Sequence, residues 1–192
     1  VIPDRIEAGT FAVAAAITNG ELKLKNARLE HMLAVVDRLR KVGVIIERDE
    51  DGVAVSSSRR IEPVDITTQP YPGFPTDLQA QVMALLCLAD GNSVICEKVF
   101  PDRYLHVAEL SRMGAQLRKE GPTVIIQGVK RLIGAPVMAS DLRASAGLVL
   151  AGLVAKGKTI LRRAYHIDRG YEKIEEKLGT VGADIRRVDE EL

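Results

Sequence analysis

Residues 140–182 read SDLRASAGLVLAGLVAKGKTILRRAYHIDRGYEKIEEKLGTVG, and the reading of this stretch decides the fold. Leu142, Ala146, Val149, Leu150 and Leu153 recur at helical spacing, which predicts an amphipathic helix that opens at Asp141 and stops at Gly157. Lys158 to Arg162 has the character of a short strand. Tyr171, Ile174, Leu178 and Val181 then form a second helical stripe that stops at Gly182. The unit is thus helix, glycine, strand, loop, helix, glycine. It carries three acid or base candidates, Asp141, Arg143 and Arg169.

The same unit occurs twice upstream, in PDRIEAGTFAVAAAITNGELKLKNARLEHMLAVVDRLRKVG at 3–43 and in TDLQAQVMALLCLADGNSVICEKVFPDRYLHVAELSRMG at 76–114. Each copy opens on an aspartate (Asp4, Asp77, Asp141), and a first glycine follows after 16, 14 and 16 residues (Gly20, Gly91, Gly157). At these glycines the first helix is expected to end in a left-handed residue. A second glycine lies 23, 23 and 25 residues further on (Gly43, Gly114, Gly182), each time four residues after a leucine (Leu39, Leu110, Leu178). Three copies in register are the signature of an internal repeat. The second helix of the first copy has the stripe Met32, Val35, Leu39, Val42, whereas the early positions in the second copy fall on Arg103 and His106 and break it.

Beyond the second glycine, an apolar residue three positions on (Ile46, Leu117, Ile185) marks a further strand. Turns at Asp49 to Gly52 and at Glu120 to Pro122 lead to return strands at Val53 to Ser56 and Val124 to Gln127. Strands at Val64 to Thr68 and Ala135 to Met138 lead into the later copies. Each unit is therefore β-α-β-α-β-β, over approximately 1–58, 63–128 and 134–192. The expected fold is α/β (α+β), one domain with helices inside and strands outside in a pseudo-threefold, inside-out barrel. The first copy lacks its leading strand and the third its closing strand, so residues beyond this chain are expected to supply the missing edges. A chain that starts at Val1, in mid-pattern, is expected to be a piece of a longer parent.

Composition narrows the function. With 192 residues and 46% hydrophobic content the chain can bury a core. A net charge of +1 from 27 basic and 26 acidic residues leaves no electrostatic footprint for nucleic acid or an anionic membrane, so an anionic ligand has to be met by a local cluster. The uncharged runs, Ala144 to Ala155 among them, fall well short of the roughly 20 residues of a membrane span. Cys87 and Cys96 sit in apolar runs without metal-ligand spacing and read as free buried thiols of a cytoplasmic protein. His31, His106 and His166 lack ligand spacing and suit surface or supporting roles. The acidic runs Glu47 to Asp51 and Asp189 to Glu191 suit a solvated hairpin and a chain end. No P-loop, dinucleotide glycine pattern or hydrolase elbow occurs, so neither a cofactor nor a metal is expected.

Two readings compete at each polar candidate. Thr76 and Gln79 flank Asp77 with the spacing of a capping box, and Ser140 and Asp141 suit a helix start equally well. Yet Asp77 follows a loop, Gln69 to Pro75, that three prolines stiffen, and a fixed carboxylate can act as a general base. Arg103 and Arg169 lie twelve residues after Gly91 and Gly157, each where a loop enters a helix. Either is a solvated cation, or it forks onto a phosphate or carboxylate. Threefold repetition would converge Asp77, Arg103, Asp141, Arg143 and Arg169 on one cleft.

FPTDLQAQ at 74–81, FPDRYLHVAELSRMGA at 100–115, SDLRASAGLVLAG at 140–152 and YHIDRGYEKIEEKL at 165–178 together resemble the enolpyruvyl transferases, above all those acting on UDP-N-acetylglucosamine. The resemblance runs along essentially the whole chain. It implies two inside-out barrel domains of three repeats each, this chain being most of the second, with the extreme N-terminal segment of the longer parent returning to complete it. It also implies transfer of enolpyruvyl from phosphoenolpyruvate to the sugar 3-hydroxyl, at an early step of peptidoglycan synthesis in the bacterial cytoplasm. By the same resemblance Asp77 contacts the sugar as a candidate base, Val99 binds the sugar nucleotide and Arg169 grips phosphoenolpyruvate. Arg103, Asp141 and Arg143 match further active-site positions. The family's reactive loop and phosphate-binding lysine have no counterpart here, and neither cysteine matches the loop cysteine, so the fragment alone is expected to be inactive. The shikimate-pathway sister enzyme, an RNA-cyclase-like protein and an inactive regulatory homologue are the competing expectations.

Overall fold

The computed structural model describes residues 2–57 and 60–188; the acidic run at 189–191 lies outside them. Among the described residues, six helices and nine strands follow in the order α1 (Arg5–Thr18), β1 (Glu21–Lys25), α2 (Leu33–Val42), β2 (Val44–Asp49), β3 (Gly52–Ser57), β4 (Ile66–Thr67), α3 (Gln79–Leu86), β5 (Asn92–Cys96), α4 (Leu105–Arg112), β6 (Gln116–Glu120), β7 (Thr123–Gln127), β8 (Pro136–Met138), α5 (Leu142–Val154), β9 (Ile160–Arg162) and α6 (Ile174–Thr180). Short 3-10 turns occupy Leu29–His31, Thr76–Leu78 and Ala164–Arg169.

The middle sheet has the order β4-β5-β7-β6, with β4 parallel to β5 and the other pairs antiparallel. Among the described residues the first sheet, β1-β3-β2, follows the same plan without a leading strand, and the third holds only the parallel pair β8-β9. The expected strand around Ile185 is not formed: residues 183–188 are irregular. In the plan of the middle sheet that strand would pair with a closing strand, and no described residue supplies one. Without a partner its N–H and C=O groups have no ladder to join.

The first helices of the three copies are apolar on nearly every side, which marks helices surrounded by protein. All eight residues of α3 are buried, as are Ala144 to Ala151 of α5. These two helices pack closely, and α1 packs against both. Gly147 makes the approach possible, since a Cβ there would sit 2.7 Å from the Ala80 carbonyl oxygen. The second helices carry one apolar stripe, as in Val35, Val36, Leu39 and Val42 of α2. Each large side chain buried in this way contributes about 1.5–3 kcal/mol.

The glycines divide into two sets. At the second glycines the backbone is left-handed (Gly43 φ 102°, Gly114 φ 89°, Gly182 φ 99°). Ala115 N–H donates to the Leu110 carbonyl and Ala183 N–H to that of Leu178, both at 3.1 Å. This Schellman closure places Gly114 and Gly182 four residues after Leu110 and Leu178, whose side chains are buried in the core. The first glycines do not cap as expected. The left-handed residue after α1 is Asn19, while α3 and α5 end at Cys87 and Ala155 in ordinary conformations. Gly91 and Gly157 take positive φ further along, within the link to the next strand.

Three side chains depart from expectation. Val181 is exposed because α6 ends at Thr180. His106 is buried, so the stripe of α4 continues through a polar ring instead of breaking. Cys87 is buried, with its thiol pushed up to about 12 by desolvation, but Cys96 is only half-buried. No helix among the described residues is long and apolar enough to cross a membrane.

Candidate active site

The site begins with a helix start that does not cap itself. In the loop before α3, Gln69 N–H donates to the Phe74 carbonyl at 2.9 Å and Gly73 N–H to that of Pro70 at 2.8 Å. Pro75 is extended, and Thr76–Leu78 form a 3-10 turn with no side-chain cap. The expected capping box is absent. Thr76 Oγ1 donates instead to Glu97 Oε2 at 2.9 Å, and Gln79 Nε2 donates to the Arg103 carbonyl at 3.2 Å.

Glu97 is the cause. Its carboxylate is fully buried, and a buried charge needs several donors. Thr68 Oγ1 at 2.6 Å, Thr76 Oγ1 at 2.9 Å, Val99 N–H at 2.8 Å and Phe100 N–H at 3.0 Å supply them. The carboxylate thereby fixes the loop that carries Val99. Sequence reasoning alone passes over Glu97. Its one signal is an acid closing the apolar strand run SVICE.

Freed of capping, Asp77 turns to two arginines. Arg103 Nη1 donates to its Oδ1 at 2.9 Å, and Arg143 Nε lies 3.5 Å from the same oxygen. Arg103 arrives on the loop before α4 and Arg143 on the first turn of α5. A cleft beside them is lined by Thr76, Gln79, Arg103, His106, Asp141 and Arg143. The side chains of Arg143 and Arg103 are 14% and 26% exposed and that of Asp77 is 38% exposed, so the cations stand deeper than the carboxylate they hold.

Asp141 lines the cleft but also caps α5. Its Oδ1 accepts from Arg143 N–H at 2.8 Å and from Ala144 N–H at 2.9 Å. Burial pushes the His106 imidazole down to about 4, with Asp141 and Glu97 opposing and Arg103 adding to the effect. The ring is therefore neutral at pH 7. Its Nε2 and Gln79 Oε1 are buried without partners among the described residues.

Four of the six candidates thus meet: Asp77, Arg103, Asp141 and Arg143. Two stand apart. Val99 is half-buried on the loop after β5, and Arg169 is exposed at the end of the Ala164–Arg169 turn, making no ion pair among the described residues. Where Arg169 stays outside, its near neighbour Tyr171 reaches the site: its hydroxyl accepts from Arg143 Nη1 at 3.3 Å. No group of three or more His, Cys, Asp or Glu among the described residues could hold a metal ion. A carboxylate set between two guanidiniums can take a hydroxyl proton while the spare N–H donors hold an anion nearby.

The family model described as EPSP synthase (3-phosphoshikimate 1-carboxyvinyltransferase) matches residues 1–178. A UDP-N-acetylglucosamine 1-carboxyvinyltransferase of Geotalea uraniireducens is 58% identical over 190 residues, 99% of this chain and 46% of its own length. One of Nitratidesulfovibrio vulgaris is 58% identical over 97% of this chain and 45% of its own. The chain therefore spans just under half the length of these curated relatives. Among solved structures, the enolpyruvyl transferase NikO from Streptomyces tendae matches with a TM-score of 0.88 at 29% identity, over 97% of this chain and 44% of its own. An EPSP synthase from Acinetobacter baumannii shares the fold, with a TM-score of 0.70 at 21% identity over 98% and 44%. The repeat, the α/β architecture and the matched residues lead to one conclusion: the chain belongs to the EPSP synthase (3-phosphoshikimate 1-carboxyvinyltransferase) family of enolpyruvyl transferases.

Proposed function

We propose that this chain is one half of a transferase that moves the enolpyruvyl group of phosphoenolpyruvate onto the 3-hydroxyl of UDP-N-acetylglucosamine and releases phosphate, in the cytoplasmic phase of peptidoglycan synthesis. The observation that carries this reading is the 58% identity, along 99% of the chain, to relatives named for that activity. In the proposed reaction the sugar oxygen bonds to C2 of phosphoenolpyruvate while the double bond takes up a proton at C3. The resulting tetrahedral adduct then loses phosphate and a C3 proton.

Asp77 is the proposed acceptor of the hydroxyl proton, held in place by Arg103 and Arg143. The same arginines present positive charge to the anionic donor, whose charge redistributes in the transition state. Arg169, unpaired among the described residues, is the proposed grip on phosphoenolpyruvate, and Val99 a contact for the sugar nucleotide. Asp141 fixes the start of α5 and hence the backbone of Arg143. The three sheets and their helices are read as one inside-out, pseudo-threefold domain. A second domain outside these residues closes over the cleft and brings the remaining catalytic groups, so this chain alone is inactive. No cofactor or metal enters this scheme.

The test is phosphate release by the full-length protein that contains this chain, given phosphoenolpyruvate with either UDP-N-acetylglucosamine or shikimate 3-phosphate. Release with the sugar nucleotide alone supports the proposal. Release with shikimate 3-phosphate would hand the protein to the other activity named in its family. A folded protein that releases phosphate with neither acceptor would be a regulatory or scaffolding homologue.

A further inference from the structure

One buried hydroxyl joins all three repeats to the candidate site. Tyr171 is 1% exposed, and its oxygen lies 2.7 Å from Thr10 Oγ1 of α1, 3.2 Å from Gln81 Nε2 of α3 and 3.3 Å from Arg143 Nη1 of α5. The direction of every bond follows from counting hydrogens. Thr10 spends its hydroxyl hydrogen on the Ile6 carbonyl at 2.9 Å, so Tyr171 donates to Thr10. Gln81 Nε2 donates to the Asp77 carbonyl at 2.9 Å, an acceptor only, which fixes the amide with its nitrogen towards the tyrosine. Its other hydrogen is shared between Thr10 Oγ1 at 3.1 Å and the Tyr171 oxygen. One lone pair of Tyr171 then takes that hydrogen and the other takes Arg143 Nη1.

We propose that Tyr171 is a positioning residue for the transfer reaction: its directed hydroxyl sets the plane of the Arg143 guanidinium so that Nε faces Asp77. The inference rests on the activity proposed above. Two edges of one guanidinium face partners, Nη1 hydrogen-bonded to the tyrosine and Nε in ion-pair contact with the aspartate at 3.5 Å, and the Arg143 guanidinium carbon also lies 5.7 Å from the centre of the Tyr171 ring. A planar fork held on two edges cannot turn about its long axis. Gln81 ties the same hydroxyl to the backbone of Asp77, so both partners of the ion pair take their position from one point in the core.

The experiment uses the full-length protein, after wild-type phosphate release with phosphoenolpyruvate and UDP-N-acetylglucosamine has been demonstrated. Failure at that first step removes the underlying reading, whereas the variants test Tyr171 alone. Tyr171→Phe keeps the ring and its packing, and Thr10→Val keeps its shape but removes the acceptor that orients the hydroxyl. The expected result is a fall in kcat of roughly tenfold or more for Tyr171→Phe, a smaller fall for Thr10→Val, and little change in KM for the sugar nucleotide. Because the effect passes through Arg143, the double variant Tyr171→Phe with Arg143→Lys is expected to be no worse than Arg143→Lys alone. Wild-type kcat in Tyr171→Phe would overturn the proposal, as would losses that multiply in the double variant. If Tyr171→Phe does not fold, Thr10→Val combined with Arg143→Lys decides by the same rule.

Discussion

Asp77 and Asp141 stand at the same position of two copies of one repeat, yet they do different work. Asp141 folds back on its own helix, and its Oδ1 accepts the Arg143 and Ala144 N–H groups. Asp4, in the first copy, does the same for Ile6 N–H at 2.8 Å. Asp77 caps nothing. A 3-10 turn intervenes before α3, Thr76 is drawn away to Glu97, and the carboxylate turns to Arg103 and Arg143. The difference shows how a repeat can yield a site. The first and third copies keep the aspartate as a cap, and the second leaves it to pair with two arginines while a buried glutamate takes over the neighbouring donors.

The sharpest way to test that contrast is to remove the charge at Asp77 alone. Asp77→Asn keeps the size and can still accept a hydrogen bond from Arg103, but it cannot serve as a base. In the full-length protein kcat is expected to fall about 10²- to 10⁴-fold, with a much smaller change in KM for the sugar nucleotide, read from steady-state phosphate release. An unchanged kcat would remove Asp77 from the role of base.

The next test breaks the cause of the contrast. Glu97→Leu strands the Thr68 and Thr76 hydroxyls and the Val99 and Phe100 N–H groups in a buried site. Leaving several buried donors unmet costs about 3 kcal/mol or more, to be read as a lowered denaturation midpoint of the full-length protein. Activity should fall as well, because Thr76 is then free to compete for the helix start beside Asp77. A midpoint within error of wild type would show that Glu97 does not organise this corner.

The parts of the fold legible in the sequence are the local ones. Helix stripes, the Leu-to-glycine spacing and the hairpins depend on neighbours along the chain, and β1, β2, β6 and α2 lie where the pattern puts them. The partition of polar duties is not legible. Thr76 and Gln79 have the spacing of a capping box, and only the arrival of Glu97 from β5 and of Arg103 from the following loop reveals that both are spent elsewhere. His106 reads as a break in a stripe because a neutral, buried imidazole cannot be told from a solvated one by spacing. Tyr171 reads as core, and it is core. Its hydroxyl acquires meaning only when α1 and α3 are packed against it.

His106 sharpens the comparison through pH. Its ring is buried beside Asp141 and stays neutral until about pH 4, whereas the unfolded chain takes up a proton near pH 6.5. A depressed folded-state value means that its contribution is complete above pH 6.5 and declines as the pH falls towards 4. The decline expected from this group is about 3 kcal/mol. Unfolding followed between pH 7 and 4 should show that loss in the wild type, and His106→Leu should flatten this part of the curve. Parallel curves for the two proteins would mean that the imidazole takes its proton as easily folded as unfolded.

The smallest expected effect tests the capping half of the contrast. If Asp141 works mainly on its own helix, Asp141→Ala should cost about 1 kcal/mol, while Asp141→Asn, which keeps an acceptor, should cost only a few tenths. The loss is local, so it is best read at the two amides concerned. Hydrogen exchange at Arg143 and Ala144 should quicken roughly fivefold in Asp141→Ala. It should stay near wild type in Asp77→Asn, whose carboxylate caps no amide. Exchange at these amides that responded equally to both substitutions would erase the distinction between the two aspartates. A response confined to Asp141 would mean that the second copy gave up a cap, and the third did not, when Asp77 became available to a ligand.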